Sequence, residues 1–208
     1  MSMSIPVIDS GMGVLDAIYS RRAIRDYTPQ APDEKTILTL LYAAIQAPTA
    51  MYSEPCSFVV IQDVAVLRSY SDRAKALLLE TAAKDAKSSR YSTLLASPQF
   101  NIFYDASTLV VICAKSQGLH VTADCWLAAE NFMLAACAMG LGTCCIEFAI
   151  PLLNTPEVKA QLSIPEEGVA VAALIVGYAS EIPPSPARKE PEILRWMAAA
   201  VATESESK

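Results

Sequence analysis

The chain contains a single histidine, His120, and no Cys-x-x-Cys pair. A structural zinc site needs Cys or His ligands at short, regular spacing, so the sequence offers no metal site of that kind. The strings GxSxG, HExxH and G-x-x-x-x-G-K-[ST] are also missing. The two GxG pairs, at Gly11 and Gly140, lack the third glycine of a dinucleotide fingerprint. Most mechanisms driven by side chains thereby lose their usual signature. His120 could act as a general base, but a lone histidine among apolar residues after a strand is more often a surface or packing residue. No side chain is assigned a catalytic role on this reading; if the protein is an enzyme, a cofactor carries the chemistry.

Basic residues are scarce too. Sixteen Lys and Arg stand against 22 Asp and Glu, for a net charge of −6 and a pI near 4.8. Nucleic-acid binding needs a basic face to neutralise phosphates, so it is not expected. The first residues include Asp9 and Asp16 and lack a basic stretch followed by an apolar run, which argues against a secretory signal. The longest uncharged apolar stretch, Phe132 to Ile146, contains Gly140 and Gly142 and is too short to span a bilayer. A cytoplasmic protein without a membrane or nucleic-acid partner is expected. The six cysteines, at 56, 113, 125, 137, 144 and 145, fall mostly in apolar segments and read as core thiols of a reducing compartment. The alternative is a redox pair, for which adjacent Cys144 and Cys145 are the local candidates. A vicinal disulfide strains the backbone, and no activating base lies nearby in sequence.

What is present is apolar content: 53 % hydrophobic against 18 % charged residues, with a mean hydropathy of +0.32. A chain of this mass buries roughly 70 % of its surface, enough for one core-forming domain over 1–208. So few polar residues leave a monomer short of surface cover, which favours an oligomer. Within Gly13–Arg22 the spacing of Val14, Leu15, Ile18 and Tyr19 predicts a short helix that ends near the string beginning at Ser20, and Asp33 can cap a second whose stripe is Ile37, Leu40, Leu41, Ala44 and Ile45. A strand is expected over 57–61, then a long helix through Leu67, Tyr70, Ala74, Leu77 and Leu78; the pattern weakens between Ser88 and Tyr104. Strands over 108–113, 143–146 and 169–178 and a nearly all-apolar helix over 122–139 complete the set, the last strand apolar enough for burial on both faces. Prolines 183, 184, 186 and 191 mark an extended arm over about 180–195, and 203–208 reads as a polar tail. Helices alternating with strands favour a layered sandwich over a helical bundle.

Against this acidic background, Arg21-Arg22-Ala23-Ile24-Arg25 puts three guanidinium groups in five residues where a helix ends. Such a cluster costs self-repulsion unless an anion offsets it. A phosphoester ligand is one reading, because arginine offers planar, multi-donor recognition; a solvated, salt-bridged corner is the other. Arg188 and Lys189, in the proline arm, form a second basic spot.

The next string, Ala47-Pro48-Thr49-Ala50-Met51-Tyr52-Ser53-Glu54-Pro55-Cys56, runs from a helix end into a strand. With the arginine cluster it resembles the nitroreductase family of FMN-dependent oxidoreductases, whose pattern opens with R-R-S-x-R and continues through A-P-S-x-x-N-x-Q-P-W. Further blocks agree in order: Asp124 to Gly142, Thr143 to Phe148, and Ala173 to Tyr178, so that the resemblance spans about 12 to 195. It implies an α+β fold, a three-layer α/β/α sandwich forming an intertwined homodimer, with FMN bound where the subunits meet. By this resemblance Arg21, Arg22 and Arg25, with Ala23, hold the phosphate and ring edge. Pro48, Thr49, Ala50 and Tyr52 approach the flavin from the partner, and Cys145, Ile146, Glu147 and Phe148 lie at its redox-active edge. Arg188 and Lys189 complete the phosphate pocket. It further implies NAD(P)H as donor and a nitroaromatic, quinone or enone as acceptor, the segment 88–104 influencing substrate choice. Other branches dehalogenate, dehydrogenate or cleave flavin, and a flavin-binding protein without turnover is a further alternative. Four positions differ from the pattern: Ala23 for Ser, Tyr52 for Asn, Glu54 for Gln and Cys56 for Trp. Ala23 lacks a hydroxyl donor worth about 0.5 to 1.5 kcal/mol, and a carboxylate at 54 would repel a reduced, anionic flavin unless paired or turned outward.

Overall fold

Segments rich in β-branched residues become strands, and those with 3.6-residue apolar spacing become helices. The computed structural model describes residues 11–52, 54–82 and 91–197, and the side chain of Tyr52 falls outside that description. So do residues 88–90 and the expected polar tail at 203–208. In chain order the elements are α1 (Val14–Ser20), α2 (Glu34–Ala44), β1 (Cys56–Ile61), α3 (Val64–Ala82), α4 (Ser92–Leu95), β2 (Thr108–Ala114), α5 (Leu119–Ala138), β3 (Gly142–Cys145), α6 (Ile150–Leu153), α7 (Pro156–Gln161) and β4 (Val169–Gly177).

The four strands form one sheet in the order β1-β2-β4-β3, with every neighbouring pair antiparallel. In the central pair, side chains alternate between two buried faces. Leu109, Val111, Cys113, Ala173 and Ile175 face the core beneath α3, α6 and α7, whereas Val110, Ile112, Ala172, Leu174 and Val176 face α2 and α5. The result is an α+β fold with helices on both faces of an antiparallel sheet. A bulge between Ile112 and Cys113 leaves Val171 unpaired in β4 and puts it on the same face as Ala172.

Local signals explain most boundaries. The Asp33 side chain accepts the Thr36 N–H at 2.7 Å and caps α2. α1 ends at Ser20, where the arginine string begins, as its spacing predicts, so the arginines lie beyond it. The short helices α4, α6 and α7 were not expected, because four to six residues are too few to display a period. After β4 the chain is exposed at every described position from 180 to 197. No described helix is long and apolar enough to cross a membrane.

One tether places the arginine cluster. The chain after α1 runs along the outer edge of β3, where Ala23 bridges Thr143 in parallel and the Ile24 N–H donates to the Thr143 carbonyl at 2.9 Å. Farther on, the Thr28 N–H donates to Tyr178 and the Ser180 N–H to Asp26. Gly142 is required there: a Cβ would lie 2.6 Å from Ile24 Cγ1 and 2.8 Å from its Cβ. Gly142→Ala is expected to destabilise the fold by about 1–3 kcal/mol through overpacking, read as a lower urea midpoint. An unchanged midpoint would mean that Ile24 yields freely and that the tether is loose.

Candidate functional site

The three arginines do different things. Arg22 Nη1 donates to the carbonyls of Tyr19 at 2.8 Å and Arg21 at 2.7 Å, so it closes the end of α1, whose last carbonyls lack helical partners. Arg21 Nε is 3.7 Å from Glu130 of α5, a partly exposed pair of little energetic weight. Arg25 is exposed, its guanidinium carbon 5.8 Å from the Tyr104 ring centre, and it has no carboxylate at salt-bridge distance among the described residues. Burial pushes the Cys144 thiol up, while the charges of Arg25 and Arg21 pull the other way. Both guanidiniums are carried by the segment tethered to β3. Ala23, Arg25, Asp26, Glu181, Pro183 and Pro184 line a cavity of about 280 Å³ at the base of the arm. Arg188 and Lys189 lie farther along the arm, exposed.

The segment after α2 builds a second, larger cavity. A 3-10 turn at Ala50–Tyr52 places Met51 at φ 53°, and Glu54 follows at φ 43°. Left-handed conformations at non-glycine residues cost about 1–3 kcal/mol each and persist only where neighbours hold them. Asp124 of α5, 5 % exposed, supplies one hold: its Oδ2 accepts the Ala50 N–H at 3.1 Å. Lys115 supplies two more, its Nζ donating to the Glu54 carbonyl and its N–H to the Pro55 carbonyl, both at 2.8 Å. Pro48, Thr49, Met51, Cys56, Lys115 and Asp124 contribute to the wall of a cavity of about 780 Å³, a size suited to a small organic ligand. Glu54 also reaches that wall but is exposed.

At the end of β3, Cys145 is half-buried, Ile146 is buried with its N–H on the Ala173 carbonyl at 2.8 Å, and Glu147 is exposed. Phe148 meets Tyr91 edge to face, with centroids 5.4 Å apart at 72°. Tyr91, which sequence reasoning did not single out, thus brings the start of α4 against this turn. Cys144 and Cys145 point to opposite faces of the sheet, as neighbours in a strand must, and so do not form a poised pair. The close thiols are Cys56 and Cys125, with sulfurs 3.5 Å apart. His120 is exposed in the first turn of α5 and lines neither cavity. Among the described residues, no three His, Cys, Asp or Glu are grouped to hold a metal ion.

One chain therefore gathers Ala23 and Arg25 at one cavity and Pro48, Thr49 and Cys56 at another, and the two cavities share no lining residue.

Residues 18–178 match the family model described as the nitroreductase family. A protein of Methanothermobacter thermautotrophicus, whose name gives it as a candidate NADH dehydrogenase/NAD(P)H nitroreductase, is 28 % identical over 180 residues, covering 84 % of this chain and 81 % of its own. The 5,6-dimethylbenzimidazole synthase of Rhodospirillum rubrum is 29 % identical over 198 residues, covering 88 % of each. Among solved structures, a nitroreductase with bound FMN from Bacteroides fragilis superimposes with a TM-score of 0.71 at 27 % identity, covering 90 % of this chain and 98 % of that one.

The hold on the 48–54 segment is testable. Asp124→Ala removes a buried, charged acceptor from the Ala50 N–H, an interaction of about 1.5–3 kcal/mol. Hydrogen exchange at Ala50 is expected to accelerate while exchange in β2 and β4 stays slow. Equal acceleration throughout would mean that Asp124 supports the whole fold and not this loop.

Proposed function

Because the chain belongs to the nitroreductase family, we propose that it is an FMN-dependent oxidoreductase that works as a homodimer. In this reading it carries reducing equivalents from NAD(P)H to a small nitroaromatic, quinone or enone-type acceptor. The observation that carries the proposal is Arg25, exposed at the cavity beneath the arm with no carboxylate at salt-bridge distance among the described residues, on the β3-tethered segment that also holds Arg21. An acidic chain that concentrates positive charge in this way favours a bound dianion such as a phosphate ester.

The residues present fit the cofactor in two parts. Arg21 and Arg25 would hold the phosphate, with Arg22 shaping the turn from which they project and Arg188 and Lys189 reaching in from the arm. Pro48, Thr49, Ala50 and Tyr52 would bound the ring, beside a cavity roomy enough for it. One molecule of FMN requires both parts together, whereas a single chain holds them in separate cavities. Two copies, each lending its loop to the other's arginines, satisfy that requirement. Exposed apolar residues support the pairing: Val14, Leu15 and Tyr19 on α1, Met51 in the loop, Leu119 on α5 and Trp196 in the arm.

The chemistry supplied by bound FMN is two-electron transfer between a nicotinamide donor and an acceptor. The protein's part is placement and electrostatics. Arg21 and Arg25 would neutralise and orient the phosphate, and Cys145, Ile146, Glu147 and Phe148 would supply the wall beside the ring. The Tyr91–Phe148 contact joins the start of α4 to that turn. Glu54 is exposed, which lessens the repulsion its carboxylate would exert inside the site. The free thiols are consistent with a reducing, cytoplasmic compartment. The likeness to a 5,6-dimethylbenzimidazole synthase supports a second reading, a family branch with other flavin chemistry such as dehalogenation, dehydrogenation or flavin cleavage.

The first test is the visible spectrum of the purified protein. A flavin band that bleaches on anaerobic addition of NAD(P)H, with FMN as the released chromophore, is expected. A band that stays oxidised would favour the second reading or a non-catalytic flavin protein. In the Arg21→Ala/Arg25→Ala double variant, the loss of two charge-assisted contacts should raise the FMN Kd at least about tenfold. An unchanged Kd would overturn the phosphate assignment.

A further inference from the structure

Cys56 opens β1 and Cys125 lies in the second turn of α5, and the packing of that strand against that helix brings their sulfurs to 3.5 Å in a thiol–thiol hydrogen bond. The two thiols are unequal. Cys125 is fully buried, whereas Cys56 is half-buried and lines the 780 Å³ cavity. Lys115 and Asp124 line the same cavity, so a small neutral oxidant that enters it meets Cys56 first. Cys113, on the strand beside β1, points into the core on the opposite face of the sheet and is no rival partner.

We propose that Cys56 and Cys125 are a hydroperoxide-reactive dithiol, in which Cys56 is the attacking thiol and Cys125 resolves it to an intramolecular disulfide. The Cys56 thiolate attacks one peroxide oxygen; an S–O bond forms, the O–O bond breaks, and the departing hydroxide or alkoxide takes a proton from water. The Cys125 sulfur then attacks the sulfenic sulfur of Cys56; the S–S bond forms, and water leaves with the Cys125 proton. Two thiols are oxidised by two electrons and one peroxide is reduced. The hydrogen-bonding contact with the Cys125 sulfur holds the Cys56 thiol below its usual value, with help from the Lys115 charge, against burial and the Asp124 carboxylate. That same bond and burial push Cys125 up, so Cys56 ionises first. Closing 3.5 Å to a bond of about 2 Å asks for a modest approach of a strand end to a helix. The disulfide would form one residue from Asp124, the acceptor that holds the Ala50 loop. This goes beyond the flavin reading and does not rest on it, since the thiols themselves report it.

The test uses the full-length, pre-reduced protein and one equivalent of hydrogen peroxide. Two of the six thiols should be lost, and peptide mapping should show the Cys56 and Cys125 peptides linked and lighter by two hydrogens. Cys56→Ser should abolish the loss. Cys125→Ser should leave a sulfenic acid at Cys56 that dimedone traps. Should a variant fail to fold, the wild-type map decides alone. Retention of all six thiols, a disulfide joining any other pair, or Cys56 oxidised without linkage to Cys125 would overturn the proposal.

Discussion

The central strands β2 and β4 have no side that faces water. Every residue of β2 is buried, as is all of β4 beyond its first, half-buried position. Each apolar face withdrawn from water contributes about 25 cal/mol per Å², so both faces demand cover and the helices divide to supply it. α2 and α5 close one side, while α3, α6 and α7 close the other. A sheet committed on both faces keeps only its rims for polar chemistry. The arginine corner accordingly sits along the outer edge of β3, and the large cavity opens where β1 begins.

α5 links these rims. Its Glu130 faces Arg21, its Asp124 holds the Ala50 loop, and its Cys125 meets Cys56. From Asp124 to Glu130 the helix rises about 9 Å, and this one rigid element spaces the arginine corner from the large cavity. A single chain holds the two cavities apart, and its exposed apolar residues lie largely on α1, α5 and the arm. In the dimeric reading, the surface left uncovered by the core and the incompleteness of the site have one cause.

Charge follows the same economy. The chain is acidic overall, yet it concentrates arginine where the backbone is tethered to β3, and Arg22 is used to close α1. Among three guanidiniums within five residues, local hydrogen bonding thus assigns Arg22 a structural role, which composition cannot do. Likewise, the cysteines differ by place: Cys144 and Cys145 are neighbours in sequence and opposed in space, while Cys56 and Cys125 are distant in sequence and in contact.

Much of this was legible in the residues. The four strands, the Asp33 cap, the long apolar helix and the exposed arm follow from spacing and local chemistry, because period and capping are properties of neighbours along the chain. The arginine cluster and the 47–56 string announced the family, and the family model agrees. The short helices escaped notice because they complete no more than two turns, and Tyr91 because its partner Phe148 lies across the fold. The sequence by itself determined the strands, the longer helices, the family and the residue types available to a site. Only the tertiary structure decided strand order, which arginine closes α1, how Asp124 and Lys115 hold a strained loop, and which two thiols touch. Those outcomes depend on how β1 and the chain after α1 pack against α5 and β3, and such contacts between distant segments leave no periodic trace in the chain.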